Sequence, residues 1–333
     1  MNRREFFKVL GGGVGVGLLT GTGILSYKAW NKVSVVRHSR PMLGTLITMT
    51  VHHSDLAVAE RGMTKAFQAI EEVDRVMSLH RSDSDIVRVN RAAGVEEILV
   101  HPWLVEVLNQ ASKAHALTQG SYDVTCLPLM RLYGFYSQEN QKHFPKDKEI
   151  LRVLDSVGQK FIIIDDRSNR MGLMKSESGI DLGSIGKGFA VDRAADVLRK
   201  EGIENALIDA GGNIFALGTP QDHSATEEGW KVAIRNPLGS GEDDYFEILT
   251  LRNAAVATSG NYEQSVLLDG RRVGHLFNLR HGKPSETGTS ATVVTSSATW
   301  ADALSTSAYL LGPEFKKSLV GQSTEIYFHG FAG

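Results

Sequence analysis

The sequence predicts an α+β fold. Helical and strand-like segments alternate from Arg40 onward, without a Pro-rich or low-complexity linker and without a clear repeat. Two short apolar runs, 205–210 and 213–217, are joined at Gly211-Gly212, which is a signal for a β-hairpin. Hairpins mixed with helices favour α+β over a regular doubly wound sheet.

The individual elements follow from hydrophobic periodicity. An alternating run from the segment 42–45 through Val51 predicts a strand. Apolar residues at helical spacing predict a long helix over 56–78 and a second helix over 103–118, which Gly120 ends. A third helix is expected to run to about Lys200. Two more strands are expected at 231–234 and 246–251.

The first thirty residues carry a targeting pattern. Arg3 and Arg4 precede an uncharged run from Val9 to Tyr27 that is interrupted by glycines, which resembles a twin-arginine export signal. A plain membrane anchor is the alternative, because the run is just long enough to span a bilayer. We therefore expect residues 1–30 to be a signal or an uncleaved anchor in the inner membrane, and residues 31–333 to form one domain in the periplasm, exported by the twin-arginine machinery.

Composition excludes some classes of function. The chain has 333 residues, with 36 basic and 38 acidic residues, so no broad electropositive surface is expected and nucleic acid is an improbable partner. Cys126 is the single cysteine, which excludes an internal disulfide and a cysteine zinc cluster.

A helix near the C-terminus carries a hard-ligand pair. It is expected to start at the N-caps Ser296-Ser297 and to stop at Gly312-Pro313. Asp302 and Thr306 lie four residues apart on one face of this otherwise apolar helix, and their oxygens suit Mg²⁺ better than zinc. The alternative is that Asp302 is an ordinary solvated residue on a helix face.

A glycine-rich loop over 181–188 precedes the predicted helix that ends near Lys200. Glycines before a helix N-terminus expose backbone N–H groups where a phosphate can bind, and Lys187 adds a charge. The loop is not a Walker A motif, because Asp181 and Gly188 stand where that motif has Gly and Ser or Thr. A structural turn without a ligand is the alternative.

Two further segments carry side chains suited to chemistry. The loop Ser121-Tyr122-Asp123 can stack on and hydrogen-bond a planar ring, although an ordinary turn would have the same composition. His275 is the best candidate for a general acid or base, because imidazole titrates near neutral pH. A hydrogen-bonded structural role is the alternative for this histidine.

These segments, in this order, resemble the ApbE family of periplasmic flavin transferases, which take FMN from FAD and attach it to a Thr or Ser of a target protein. The motifs that match are Met42–Thr45, Met77-Ser78, Ser84–Ile86, Asn90, Gly120–Asp123, Asp181–Gly188, Asp209–Asn213, Ala257–Gly260, His275, Ala301-Asp302 and Ser305-Thr306. The resemblance implies a single large two-lobed domain, related to the T-fold, with mixed sheets and flanking helices.

The resemblance also implies roles for individual residues. The FAD site would comprise Met42, His80, Ser121, Tyr122, Asp123, Asp181, Lys187, Leu276 and Phe277. Mg²⁺ would be held by Asp302, Thr306 and the backbone carbonyl of Ser184, with His275 as the catalytic base and Ser305 as a secondary catalytic candidate. The chain departs from the family pattern at three places. His80 replaces an aromatic Tyr, Asn278-Leu279 replaces Asp-Pro, and Ser305 stands where many members carry a second acid.

The expected activity is therefore Mg²⁺-dependent transfer of FMN from FAD to a Thr or Ser hydroxyl, with release of AMP. The resemblance implies that the acceptor is an FMN-carrying periplasmic domain of a membrane redox protein. An FAD pyrophosphatase, in which water replaces the acceptor hydroxyl, is one alternative. A non-catalytic flavin-binding or carrier protein is the other.

Overall fold

The structure is a computed structural model, and it describes residues 33–136, 143–220, 229–236, 244–261, 264–285, 288–319, 321 and 323–331. The expected signal or anchor at residues 1–30 lies outside these described residues. Within them, no helix combines the length and the apolar character that a membrane span requires.

A seven-stranded sheet forms the centre of the fold, and each of its strand pairs is antiparallel. Its strands, in spatial order, are β1 (Ser34–Met42), β2 (Thr45–His53), β6 (Ala206–Ala210), β7 (Asn213–Leu217), β10 (Ala254–Gly260), β15 (Ser290–Thr295) and β16 (Glu325–His329).

Two hairpins place their turns side by side at one end of this sheet. The predicted hairpin at Gly211-Gly212 is confirmed. The strand predicted to follow the segment 42–45 and to run through Val51 is confirmed as β2, and a turn at Leu43-Gly44, where both residues have positive φ (53° and 71°), joins it to the preceding β1. Because β2 pairs with β6, the side chain of Thr45 packs against Gly211.

The helices of the described residues are divided between a layer on one face of the central sheet and a smaller lobe. In chain order they are α1 (Leu56–Met77), α2 (Asp85–Arg91), α3 (Pro102–Leu117), α4 (Leu127–Leu132), α5 (Asp147–Leu154), α6 (Gly186–Lys200) and α7 (Ala298–Leu311), with 3₁₀ turns at Val124–Cys126, Gln159–Phe161 and Pro313–Leu319. The long helices predicted from periodicity agree with α1, α3, α6 and α7 to within a few residues. Helix α7 packs between α6 and the strands β10 and β15, so nearly all of its residues are buried, including Asp302. The alternative of a solvated Asp302 is therefore wrong.

The remaining strands form small sheets around the centre. They are β3 (Ile98–Leu99), β4 (Ile162–Asp165) and β5 (Arg170–Leu173) in one three-stranded sheet, and the pairs β8 (Trp230–Arg235) with β9 (Tyr245–Leu251), β11 (Ser265–Leu268) with β12 (Arg271–Gly274), and β13 (Phe277–Asn278) with β14 (Lys283–Pro284). The strands expected at 231–234 and 246–251 are confirmed as β8 and β9, and Trp230 on β8 packs against the face of the central sheet opposite the helices.

A smaller lobe lies beside the helices. Helices α4 and α5 and the hairpin β11–β12 share a separate hydrophobic core that includes Leu129, Tyr133, Ile150, Leu268 and Phe277. The main core, by contrast, joins α1, α6 and α7 to the central sheet. The two-lobed α+β domain expected from the sequence is therefore confirmed, and its two lobes flank the pocket described next.

Candidate active site

Most of the predicted site residues line one pocket between the two lobes. The lining includes His80, Ser121, Tyr122, Asp123, Asp181, Ser184, Lys187, His275, Leu276, Phe277, Asp302 and Thr306. These residues come from the end of α1, three loops, α6, α7 and the segment after β12. The fold therefore collects side chains that lie more than two hundred positions apart in the chain.

Two predicted residues lie just outside the pocket. Met42 ends β1 and packs against the main core, and the neighbouring Leu43 contributes to the pocket wall instead. Ser305 is fully buried behind Asp302, where its hydroxyl donates to the Asp302 backbone carbonyl at 2.8 Å. Ser305 therefore supports helix α7 from inside the core, and this placement gives it no direct contact with a ligand in the pocket.

Asp302 is a buried carboxylate in the pocket wall. It is 4% exposed, and its Oδ2 accepts a hydrogen bond from the backbone N–H of Gly188 at 2.9 Å. Burial raises the pKa of the Asp302 carboxyl, while the positive charge of Lys187 and a hydrogen bond from the Asn213 side chain act in the opposite direction. A buried carboxylate with this environment is suited to bind a cation.

Asp302 accepts hydrogen bonds from the backbone N–H groups at the end of the glycine loop, where helix α6 begins. Helix α6 has no side-chain cap at its N-terminus, and the backbone N–H groups of Lys187 and Gly188 point to the Asp302 carboxylate instead. The amides expected to cradle a phosphate are therefore partly used by Asp302. This follows from tertiary packing, because the positive end of the α6 dipole attracts the nearest anion, which lies on α7.

Gly188 allows helices α6 and α7 to approach closely. A Cβ at this position would lie 2.1 Å from the Ala298 carbonyl oxygen and 2.8 Å from the Asp302 Cβ. Asp192 on α6 stabilises the same interface, because it accepts hydrogen bonds from the backbone N–H groups of Ala298 at 2.8 Å and Thr299 at 2.9 Å, at the start of α7. Asp302 therefore stands on a rigidly packed pair of helices.

Three hydroxyl groups lie together below Asp302. Ser259 Oγ is 2.8 Å from Ser305 Oγ and 3.2 Å from Thr306 Oγ1. Thr306 and Ser259, which lies on the adjacent strand β10, both line the pocket together with Asp302. Ser305 does not. The predicted i, i+4 pair of Asp302 and Thr306 is thus directed into the pocket.

The loop 121–125 is ordered by its own side chains. Asp123 accepts hydrogen bonds from the Thr125 backbone N–H at 2.8 Å, from the Thr125 hydroxyl at 2.7 Å and from the Gln159 N–H at 3.1 Å. The hydrogen bond with Asp123 also raises the pKa of His115. Tyr122 is 1% exposed and its hydroxyl meets Ser184 Oγ at 3.1 Å. Asp123 and Tyr122 therefore mainly hold this pocket wall in place.

His275 is placed to act as a base. Its Nδ1 lies 3.3 Å from the Gln264 carbonyl oxygen, and because a carbonyl can only accept, Nδ1 carries the hydrogen in the neutral ring. Nε2 then holds the lone pair. Burial lowers the pKa of His275, the hydrogen bond to Gln264 acts in the opposite direction, and the charge of Lys187 lowers the pKa further, so the neutral ring is favoured at pH 7.

Sequence reasoning missed several polar residues at or next to the site, among them Asn213 and Tyr136. Asn213 is 4% exposed, contacts Asp302 through its side chain, and leaves its Oδ1 buried without a hydrogen-bond partner. Its position directly after Gly211-Gly212 on a hairpin was a usable signal, because that turn aims the next side chain at the helix layer. Tyr136, unlike Asn213, lines the pocket itself, and no motif around it indicated this.

Comparison with known proteins assigns this chain to one family. A model described as the ApbE family matches residues 43–328. The chain belongs to the ApbE family. Two of its relatives are named FAD:protein FMN transferase. The one from Vibrio cholerae serotype O1 is 31% identical, with 84% of this chain and 82% of the relative covered, and the one from Salmonella typhimurium is 28% identical, with 84% and 79% covered.

Solved ApbE structures share the architecture. The flavin transferase ApbE from Vibrio cholerae has a TM-score of 0.75 at 28% identity, with 89% of this chain and 97% of that chain covered. The flavinyl transferase ApbE from Pseudomonas stutzeri in its apo form has a TM-score of 0.78 at 27% identity, with 90% and 92% covered. The ApbE resemblance drawn from the motifs is thereby confirmed over nearly the whole described domain.

Proposed function

We propose that this protein transfers FMN from FAD to a Thr or Ser hydroxyl of an acceptor protein and releases AMP. The observation that carries the proposal is the presence of a cation (Lys187), a neutral imidazole (His275) and a buried carboxylate (Asp302) in one pocket of an ApbE-family domain. Relatives with this domain are named FAD:protein FMN transferase, so flavin transfer is the activity that the family relationship supports.

The substrate would enter with its pyrophosphate toward Lys187. This side chain is half-buried, and its ammonium group lies 3.4 Å from the Gly183 carbonyl oxygen, which is a weak contact that a phosphate oxygen can replace. The neutral loop residues Gly183 and Gly186 line the pocket beside it. Lys187 therefore orients the phosphorus that is to be attacked and offsets negative charge as the AMP phosphate leaves.

His275 would take the proton of the acceptor hydroxyl. In the reaction the acceptor oxygen bonds to the FMN phosphorus, the bond from that phosphorus to the AMP oxygen breaks, and the hydroxyl proton moves to His275 Nε2. One FAD and one acceptor hydroxyl thus give one flavinylated acceptor and one AMP. The lowered pKa of His275 keeps its lone pair free at neutral pH, as a general base requires.

The donor set near Asp302 fits Mg²⁺. Asp302, Thr306 and the Ser184 carbonyl offer only oxygen atoms, which are the ligands that Mg²⁺ prefers. The Asn213 side chain donates a hydrogen bond to Asp302 and helps to keep this ligand carboxylate in its charged form. When bound, Mg²⁺ would neutralise charge on the pyrophosphate.

One incubation separates the proposal from its alternatives. Purified protein is mixed with FAD, Mg²⁺ and a candidate FMN-binding domain. The mass of the acceptor domain and the amount of AMP released are then both measured. An FMN adduct with AMP supports the transferase. AMP with free FMN and no adduct would indicate the pyrophosphatase, and bound intact FAD without AMP would indicate a carrier.

The site of action is the second part of the proposal. We infer delivery to the periplasm by the twin-arginine machinery, because Arg3 and Arg4 precede the glycine-interrupted apolar run of the N-terminus. That route exports folded proteins, and it would bring the enzyme to an FMN-accepting periplasmic domain of a membrane redox protein. The inference rests on sequence alone, since these residues lie outside the described part of the chain.

A further inference from the structure

Tyr136 is a pocket residue that the proposed reaction does not use. It follows α4 in the smaller lobe and lines the pocket together with His80 and Asp181. The residue is half-buried and lines the pocket, so it is not closed off from this space by the described residues. The ring centroids of Tyr136 and His80 are 6.0 Å apart and their planes are inclined by 49°, so the two rings meet at an angle across the pocket wall.

A short hydrogen bond fixes the Tyr136 ring. Its hydroxyl donates to Asp181 Oδ2 at 2.7 Å, and the other oxygen of Asp181 accepts from the Gly183 backbone N–H at 2.8 Å. Asp181 is 7% exposed, so both of its oxygens are used inside the protein. Asp181 therefore links Tyr136 to the glycine loop, and burial with the nearby Asp181 charge raises the pKa of Tyr136, which keeps the hydroxyl protonated.

The other large aromatic rings of the pocket are less available. Tyr122 is 1% exposed. Phe277 is 5% exposed, with its ring 4.8 Å from Tyr133 and 6.0 Å from Phe135 between centroids. Among the described lining residues, Tyr136 is thus the phenol or phenyl ring with the most open surface, and it is already held in position before any ligand binds.

We propose that Tyr136 is a substrate-binding residue on which one of the two planar rings of FAD packs, with Asp181 holding the phenol in place. The proposal rests on the proposed function, because it takes FAD as the ligand. A preformed aromatic face gives affinity at little ordering cost, since its rotamer is fixed in advance. His80, at the same wall, supplies a smaller second ring surface.

The test is a binding experiment without any acceptor protein. Dissociation constants of FAD, FMN and ADP are measured for the wild type, Tyr136→Phe and Tyr136→Leu. Because stacking on an aromatic ring is worth about 1–3 kcal/mol, Tyr136→Leu should weaken FAD binding about 5- to 150-fold. Tyr136→Phe keeps the ring and loses only the bond to Asp181, so it should weaken FAD binding less than about 10-fold. Tyr136→Phe also keeps the experiment informative if the Leu variant fails to fold.

The three ligands and a control variant identify the cause of any loss. A loss shared by FAD and FMN but not ADP assigns the isoalloxazine ring, and a loss shared by FAD and ADP but not FMN assigns adenine; either supports the proposal. Tyr133→Phe removes a phenol that bonds the Gly282 carbonyl at 3.1 Å outside the pocket, and it should bind all three as the wild type does. Unchanged FAD affinity in Tyr136→Leu, or an equal loss for all three ligands, would overturn the proposal. Flavin transfer by the wild-type protein is measured in a separate experiment. A failure of the proposed function would appear there, whereas a failure of the Tyr136 proposal would appear only in the binding constants.

Discussion

The contact between helices α6 and α7 at Gly188 makes a sharp prediction about stability. In Gly188→Ala the new Cβ would lie 2.1 Å from the Ala298 carbonyl oxygen, whereas real Cβ contacts are essentially never under 3.0 Å, so the helices must separate by about 1 Å. The nearest atoms belong to backbone and to the base of Asp302, and none is the end of a flexible side chain. Overpacking of this kind costs about 1–3 kcal/mol of unfolding free energy.

The shift should also reach the chemistry. The Gly188 N–H donates to Asp302, so separation of the helices lengthens that hydrogen bond and moves the carboxylate away from its place in the pocket. Flavin transfer by Gly188→Ala should therefore fall at least about tenfold, because a displacement of about 1 Å in a catalytic group is costly.

Gly186→Ala is the matched control. A Cβ at Gly186 would meet nothing nearer than the Leu182 Cβ at 4.0 Å, and this glycine also belongs to α6. In urea unfolding without FAD, Gly186→Ala should be as stable as the wild type or more stable by up to about 1 kcal/mol, since Ala is the better helix former. If Gly188→Ala matches the control in unfolding free energy, the close packing of α6 on α7 has been misjudged.

Four further predictions concern the site and export. Lys187→Ala should weaken FAD binding, measured by calorimetry, by about 1.5–3 kcal/mol without lowering the melting temperature of the free protein. Equal FAD affinity in the variant and the wild type would indicate that the glycine loop is only a structural turn. The transfer rate should rise with pH around the pKa of His275, which lies below 6.5, as this side chain loses its proton. His275→Gln should remove this pH dependence, and a pH profile like that of the wild type in this variant would exclude His275 as the base. Mg²⁺ should raise the melting temperature of the wild type but not of Asp302→Asn, and this variant should lose far more turnover than FAD affinity. An equal rise with Mg²⁺ in both proteins would refute the metal site. Replacing Arg3 and Arg4 with Lys should retain the protein in the cytoplasm, and normal periplasmic recovery in cell fractions would reject the export signal.

Local sequence signals predicted the main helices well. Helix α7 begins after the N-cap Ser297, whose hydroxyl accepts from the Trp300 N–H, and it ends at Gly312, which has a positive φ. Such caps act within a few residues, so the sequence contains the whole signal. The central hairpin at Gly211-Gly212 was predictable for the same reason, since a tight turn depends on its own glycines.

Contacts between distant segments were beyond the same reasoning. The bond between Tyr136 and Asp181 joins positions 45 residues apart, and the approach of Gly188 to Ala298 joins two helices from different parts of the chain. The sequence indicated a phosphate-binding role for the loop before α6, whereas the fold turns two of its amides toward Asp302. Most of the residues that the family resemblance implied do line the pocket. Family motifs relate distant segments to one shared site, whereas hydrophobic periodicity describes each segment alone.

The most direct test of flavin transfer is a progress curve of AMP release with the acceptor domain limiting. FAD and Mg²⁺ are supplied in excess, and AMP is measured together with the mass of the acceptor. The proposed reaction consumes one hydroxyl for each FAD cleaved, so AMP should stop at one equivalent of acceptor when all of the acceptor carries FMN. AMP that continues to accumulate after that point, or that appears at the same rate without acceptor, would contradict the account and identify water as the attacking group.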